Sequence, residues 1–101
     1  MYNSLKLTLY TQEDCGYCKL LKKKLSEWNF DYREINISHD LFAKDFLKEK
    51  GHRTVPQLYW HNTHLNKMPT TELTYEHVCA ELDYENYIGG VENWSVRKAS
   101  L

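Results

Sequence analysis

Apolar and polar side chains alternate with period two near the start of the chain. Leu5, Leu7 and Leu9 are separated by Lys6 and Thr8, which predicts a half-buried strand running to Tyr10. The period then lengthens. Cys18, Leu21, Leu25 and Trp28 fall at steps of three and four, an apolar stripe that predicts a helix to about Trp28, with Asn29 as its stop. A second alternating run, Tyr32 to Ile37, predicts a strand with Tyr32, Glu34 and Asn36 on one side and Arg33, Ile35 and Ile37 on the other. Ser38 or Asp40 is placed to cap a second helix, with Phe42, Phe46 and Leu47 as its buried stripe and Gly51 as its C-terminal stop. Gln57 to His61 predicts a third strand, opened by Pro56, where a missing N–H takes nothing from a ladder. Strand, helix, strand, helix at these short spacings implies a right-handed crossover and a parallel strand pair.

Between the first strand and the first helix, after the connecting Thr11 to Asp14, stands Cys15-Gly16-Tyr17-Cys18. Cys15 should therefore sit at the first turn of a helix, where unpaired N–H groups and the positive end of the dipole favour an anion. A thiolate is stabilised there, and the thiolate is the nucleophile. Cys18, three residues on, is within reach of a mixed disulfide formed on Cys15. Half of a zinc site is the competing reading. It needs a second ligand pair, and only His61 and His64 offer one, at a two-residue gap shorter than the usual zinc-finger spacing. A purely structural disulfide closing so short a loop removes little unfolded-state entropy. Strand, CxxC and helix in succession point to a redox dithiol.

Composition narrows the class. The 101 residues suit a single domain, 1–101, and 42% hydrophobic residues with 14% aromatics suit a globular one. Thirteen basic against 14 acidic residues, net charge −1, leave no electrostatic footprint for nucleic acid, so no nucleic-acid partner is expected. Lys19 and Lys22 to Lys24 are read as a solvated helix face. No apolar run reaches membrane-span length and no signal-peptide pattern opens the chain; no membrane partner is expected. Three cysteines do not make a secreted disulfide framework, and a cytoplasmic setting is expected. The five histidines are scattered without a base-to-nucleophile pairing, His52 being nearest the dithiol in sequence.

The segments Tyr10 to Cys18 and Gly51 to Gln57, the latter carrying Thr54-Val55-Pro56, with Ile88-Gly89-Gly90 further on, resemble the glutaredoxin family. The resemblance implies an α/β, thioredoxin-like fold, β-α-β-α-β-β-α, with a four-stranded mixed sheet flanked by helices and a cis peptide bond before Pro56. It also implies a glutathione-dependent thiol–disulfide oxidoreductase, with Cys15 as nucleophile and Cys18 as resolving thiol, acting on protein disulfides and protein–glutathione mixed disulfides. Glutathione would be bound by Gln12, Tyr17, Arg53, Thr54, Val55, Pro56, Gly90, Val91 and Glu92. In that arrangement Val55 offers its backbone, Arg53 faces the glycine carboxylate, and Gly90 to Glu92 hold the γ-glutamyl end. Ribonucleotide reductase is among the client proteins the resemblance implies, and a monomer is expected. The alternative it implies is a dimer holding a [2Fe–2S] cluster through Cys15 and glutathione; otherwise no metal is expected.

Some positions depart from the family pattern. Gln12 stands where lysine is usual, with Lys44 a candidate to compensate, and Glu92-Asn93 replaces a pair of aspartates. Asn62 to Tyr87 separate the third strand from Gly89-Gly90, where the family has a tight hairpin. This predicts an insert at about 63–85 before the last strand, holding a short helix capped by Thr70 or Thr71, with Leu73, His77, Val78 and Leu82 as its face. Cys79 lies in it and reads as a small hydrophobe. A short closing helix from Glu92 to about Lys98, with Trp94 inward, is expected after the glycines.

Overall fold

The computed structural model describes the backbone of residues 6–90 and the side chains of residues 6–82. Strand β1 (Lys6–Thr11) leads into helix α1 (Gly16–Glu27), β2 (Asp31–Asn36) into α2 (Leu41–Glu49), and β3 (Gln57–Trp60) into β4 (Thr63–His64), before α3 (Tyr75–Gly90). The sheet order is β2-β1-β3-β4. β1 and β2 are parallel, while β3 is antiparallel to both β1 and β4. This is the expected mixed sheet and the expected order of elements.

Alternation along β1 sorts the two faces of the sheet. Leu7 and Leu9, with Leu58 opposite Leu9, pack against Leu21 and Leu25 of α1 and Val78 and Leu82 of α3, all fully buried. At about 25 cal/mol per Å² of apolar surface removed from water, this aliphatic layer is the main source of stability. The other face carries Tyr10 and Tyr59, whose rings meet Phe46 of α2 at centroid distances of 5.5 Å each. Asp40, not Ser38, caps α2, its carboxylate accepting the Ala43 N–H at 3.0 Å. Asn29 follows α1 with φ +62°, and Gly51 follows α2 with φ +85°, the left-handed conformations that end helices.

The structure corrects three expectations. First, among the described residues no insert separates β3 from β4. β4 follows β3 directly through His61-Asn62, His61 taking φ +55°. A two-residue strand is too short to alternate, and the turn lacks the glycine that marks tight hairpins in sequence. The segment read as an insert is the 3₁₀ turn Thr70–Glu72 and then α3, which Thr74 caps by accepting the His77 N–H at 3.1 Å. Leu73, Val78 and Leu82 do face the core, and Cys79 packs half-buried against it. Second, Gly89 and Gly90 fall in the last turn of α3, after the four described strands, and not in a turn entering the closing helix. Val91, Glu92 and the expected helix to Lys98 lie outside the described residues. Third, Phe42 is 90% exposed, and Ala43 takes its place beside Leu47 on the buried side of α2.

Candidate functional site: a dithiol facing a proline loop

The end of β1 and the start of α1 hold the two cysteines. Cys15 is the N-cap of α1, extended at φ −112°, and its Sγ accepts the Cys18 N–H at 3.0 Å. That bond satisfies one of the orphan donors of the first turn, and it is the interaction that would hold a thiolate once the pair is reduced. Here Cys15 and Cys18 form a disulfide. Cys15 is half-buried, whereas Cys18 is 2% exposed and faces the core side of α1. The outer sulphur is therefore the one an incoming disulfide can reach.

Across from Cys15 runs Thr54-Val55-Pro56, with the Val55–Pro56 peptide bond cis as the resemblance implied. Val55 O lies 3.9 Å from Cys15 Sγ. Two side chains brace this loop. Gln57 Nε2 donates to Thr54 O at 2.9 Å, while Asn66, buried after β4, donates from Nδ2 to Pro56 O at 3.0 Å and accepts the Leu58 N–H on Oδ1 at 2.9 Å. Behind Gln57 stands His64, whose Nε2 donates to Gln57 Oε1 at 2.7 Å. The His64 ring is 4.6 Å from that of His52, and His52 Nε2 is 2.6 Å from Tyr59 Oη. Burial lowers the pKa of both histidines, helped by Lys50 beside His52 and by His52 beside His64.

Two cavities open on either side of Thr54-Val55. One, of about 650 Å³, is bounded by Tyr17, Thr54 to Gln57, His64 and Asn66 to Thr71. The other, of about 250 Å³, is lined by Gln12, Lys44, Lys48, His52, Arg53, Thr54 and Val55 among others. Of the residues expected to bind glutathione, Gln12, Tyr17, Arg53, Thr54, Val55 and Pro56 thus border one continuous surface, and Lys44 joins Gln12 on it. Gly90 is placed at the end of α3 instead. A third recess, of about 170 Å³, reaches both cysteines from behind and is lined by Thr11, Lys22 and Glu34. Thr11 Oγ1 donates to Glu34 at 2.7 Å, as does Lys22 Nζ at 3.2 Å; the Thr11 bond does most to lower the Glu34 pKa, burial opposes it, and Lys22 adds a smaller lowering.

Sequence reasoning missed the wall from Asn66 to Thr71, because it follows from where β4 lies. That wall is tied to α1 by Lys24, whose Nζ donates to Thr70 O at 2.6 Å and Leu73 O at 2.9 Å, so this lysine is not part of a merely solvated face. Among the described residues no group of three or more His, Cys, Asp or Glu side chains could hold a metal ion. No helix among them is long and apolar enough to cross a membrane.

The glutaredoxin family model matches residues 7–65. A Mycobacterium tuberculosis protein named as a glutaredoxin is 42% identical over 52 residues, 50% of this chain and 62% of that protein. The glutaredoxin-like protein NrdH of Escherichia coli K12 is 31% identical over 52 residues, covering 52% of this chain and 64% of its own length. This chain therefore spans less than two thirds of the curated relatives it matches. The solved structure of NrdH-redoxin from Escherichia coli superposes with a TM-score of 0.58 at 25% identity, over 69% of this chain and 96% of that one.

Proposed function

We propose that this chain, which belongs to the glutaredoxin family, is a thiol–disulfide oxidoreductase that takes its electrons from glutathione. The observation that carries the reading is the position of Cys15 Sγ, at the start of α1 and 3.9 Å from the carbonyl of Val55, a residue that lines both of the larger cavities. The Cys15 thiolate attacks one sulphur of a protein–glutathione mixed disulfide. A Cys15–glutathione disulfide forms, and the protein leaves as a thiolate that takes a proton from water. A second glutathione thiolate then attacks the glutathione sulphur, releasing glutathione disulfide and regenerating the Cys15 thiolate. With a protein disulfide, Cys18 gives up its proton and attacks Cys15 in the mixed disulfide, producing the Cys15–Cys18 bond seen here, which two glutathiones reduce.

Glutathione would lie along Thr54-Val55 as an added strand, backbone to backbone. Its glycine carboxylate would sit among Arg53, Lys44 and Lys48, and its γ-glutamyl end beside Tyr17 and Lys67. Disulfide-bearing client proteins and a cytoplasmic setting, where a glutathione pool exists, belong to the same proposal. A [2Fe–2S] cluster is not used in it.

The likeness to NrdH favours a second reading. The NrdH-redoxin structure is described in terms of a thioredoxin-like activity profile, which for this chain would mean reduction by a flavoprotein reductase in place of glutathione. Two NADPH-coupled assays on one mixed-disulfide substrate separate the readings. Turnover with glutathione and glutathione reductase, lost in Cys15→Ser and kept in Cys18→Ser, supports the first. Turnover only with thioredoxin reductase replaces it with the second.

A further inference from the structure

We infer that His64 is a positioning residue for the exchange reaction, fixing through Gln57 the peptide plane that a substrate backbone meets at Val55. The inference rests on the proposed exchange chemistry and adds to it a residue that touches neither sulphur.

Thr54 O can only accept, so the end of the Gln57 amide that meets it at 2.9 Å must be the Nε2 donor. Oε1 then faces His64 Nε2 at 2.7 Å, and for that contact to be a hydrogen bond His64 must carry its proton on Nε2. With the proton on Nδ1 instead, Nε2 would accept and the amide would turn over. Gln57 Oε1 would then confront the Thr54 carbonyl as a second acceptor. Gln57 is 7% exposed, so bulk water does not relieve that repulsion. The imidazole therefore decides which way a buried amide points. The pairing of Tyr59 with His64 between β3 and β4 holds the ring in place. Burial and then the adjacent His52 disfavour its charged form.

The amide in turn sets the hydrogen-bonding face of the loop. The Thr54 C=O and the Val55 N–H belong to one trans peptide plane and point in opposite directions. Tying the carbonyl to Gln57 turns the Val55 N–H away from that side chain, and a substrate backbone added as a strand needs that donor. Val55 O, on the next plane, lies 3.9 Å from Cys15 Sγ, so a residue paired here is delivered beside the nucleophile. Asn66 secures the loop at Pro56 O, and His64 secures it at Thr54.

The test compares two disulfides in single-turnover reaction with the reduced full chain. One is a peptide disulfide, whose backbone can pair with Val55; the other is hydroxyethyl disulfide, which has no peptide backbone. The peptide-to-hydroxyethyl rate ratio should fall about fivefold in His64→Ala, the scale of one net hydrogen bond. His64→Gln, whose amide N–H also donates, should restore most of that loss. A merely structural role would slow both disulfides alike and leave the ratio unchanged. An unchanged ratio in His64→Ala, or an equal fall in His64→Gln, would overturn the inference and leave the exchange chemistry standing. Absence of reaction with either disulfide in the unmodified chain would overturn both. Nitrogen NMR of the His64 ring in the unmodified chain reads the tautomer without any variant. Protonation at Nε2 is required, and a neutral ring protonated at Nδ1 would overturn the inference even if His64→Ala fails to fold.

Discussion

The face of the sheet covered by α1 and α3 is aliphatic and dry, with Leu7, Leu9 and Leu58 closed over by Leu21, Leu25, Val78 and Leu82. The face covered by α2 is aromatic and polar: Tyr10, Gln57, Tyr59 and His64 meet Phe46 and His52. β3 contributes to both in turn, Leu58 to the first and Tyr59 to the second. Burial on the dry face is non-directional, so it stabilises the fold without specifying where the proline loop sits. Hydrogen bonds on the other face are directional, and they end on the Thr54 carbonyl, next to Val55, whose own carbonyl lies 3.9 Å from Cys15 Sγ. One face holds the protein folded, and the other holds the loop in register with the dithiol.

That division can be broken experimentally. Leu9→Ala opens a cavity in the dry layer and should cost about 3 kcal/mol in denaturant unfolding. The exchange rate per folded molecule should be unchanged; a parallel fall in rate would end the separation of roles. Asn66→Ala leaves the buried Leu58 N–H and Pro56 O without partners and should cost about 2 kcal/mol. Unlike Leu9→Ala, it should also slow disulfide exchange, because it removes one of the two braces of the loop.

Acidification probes the polar face alone. His52 and His64 have pKa values below the ordinary 6.5, first because they are buried. Below about 6.5 the unfolded chain therefore binds more protons than the folded one, and stability falls as pH falls, until the folded-state values are passed. Melting curves at pH 7.5 and 5.5 should differ by a few degrees, on the scale of 4–8 °C per kcal/mol. His64→Gln should narrow the difference; an unchanged difference would assign the effect to other groups. The smallest change is expected from Phe42→Ser, within about 0.5 kcal/mol, because that ring is 90% exposed.

Local signals made one part of the molecule legible. The dithiol at a helix start, the apolar stripe of α1, the parallel strand pair and the Gly51 and Asn29 stops follow from periodicity and from backbone preferences that act over a few residues. The cis bond before Pro56 was legible only through family resemblance, since an X-Pro bond alone favours trans. Phe42 was misplaced because the apolar positions of α2 admit two phases of the stripe, and packing beneath the sheet chose Ala43 and Leu47.

Beyond β3 the chain's own pattern led astray. Two glycines suggested a turn that is the end of a helix, and a two-residue strand left no alternation to read. What the sequence by itself determined was the chemistry: which sulphurs, at which end of which helix. Tertiary structure decided what stands around them. The wall from Asn66 to Thr71 and the ladder from His52 to Gln57 join residues that only strand pairing brings together, and no local periodicity encodes a contact whose partners depend on where the sheet closes.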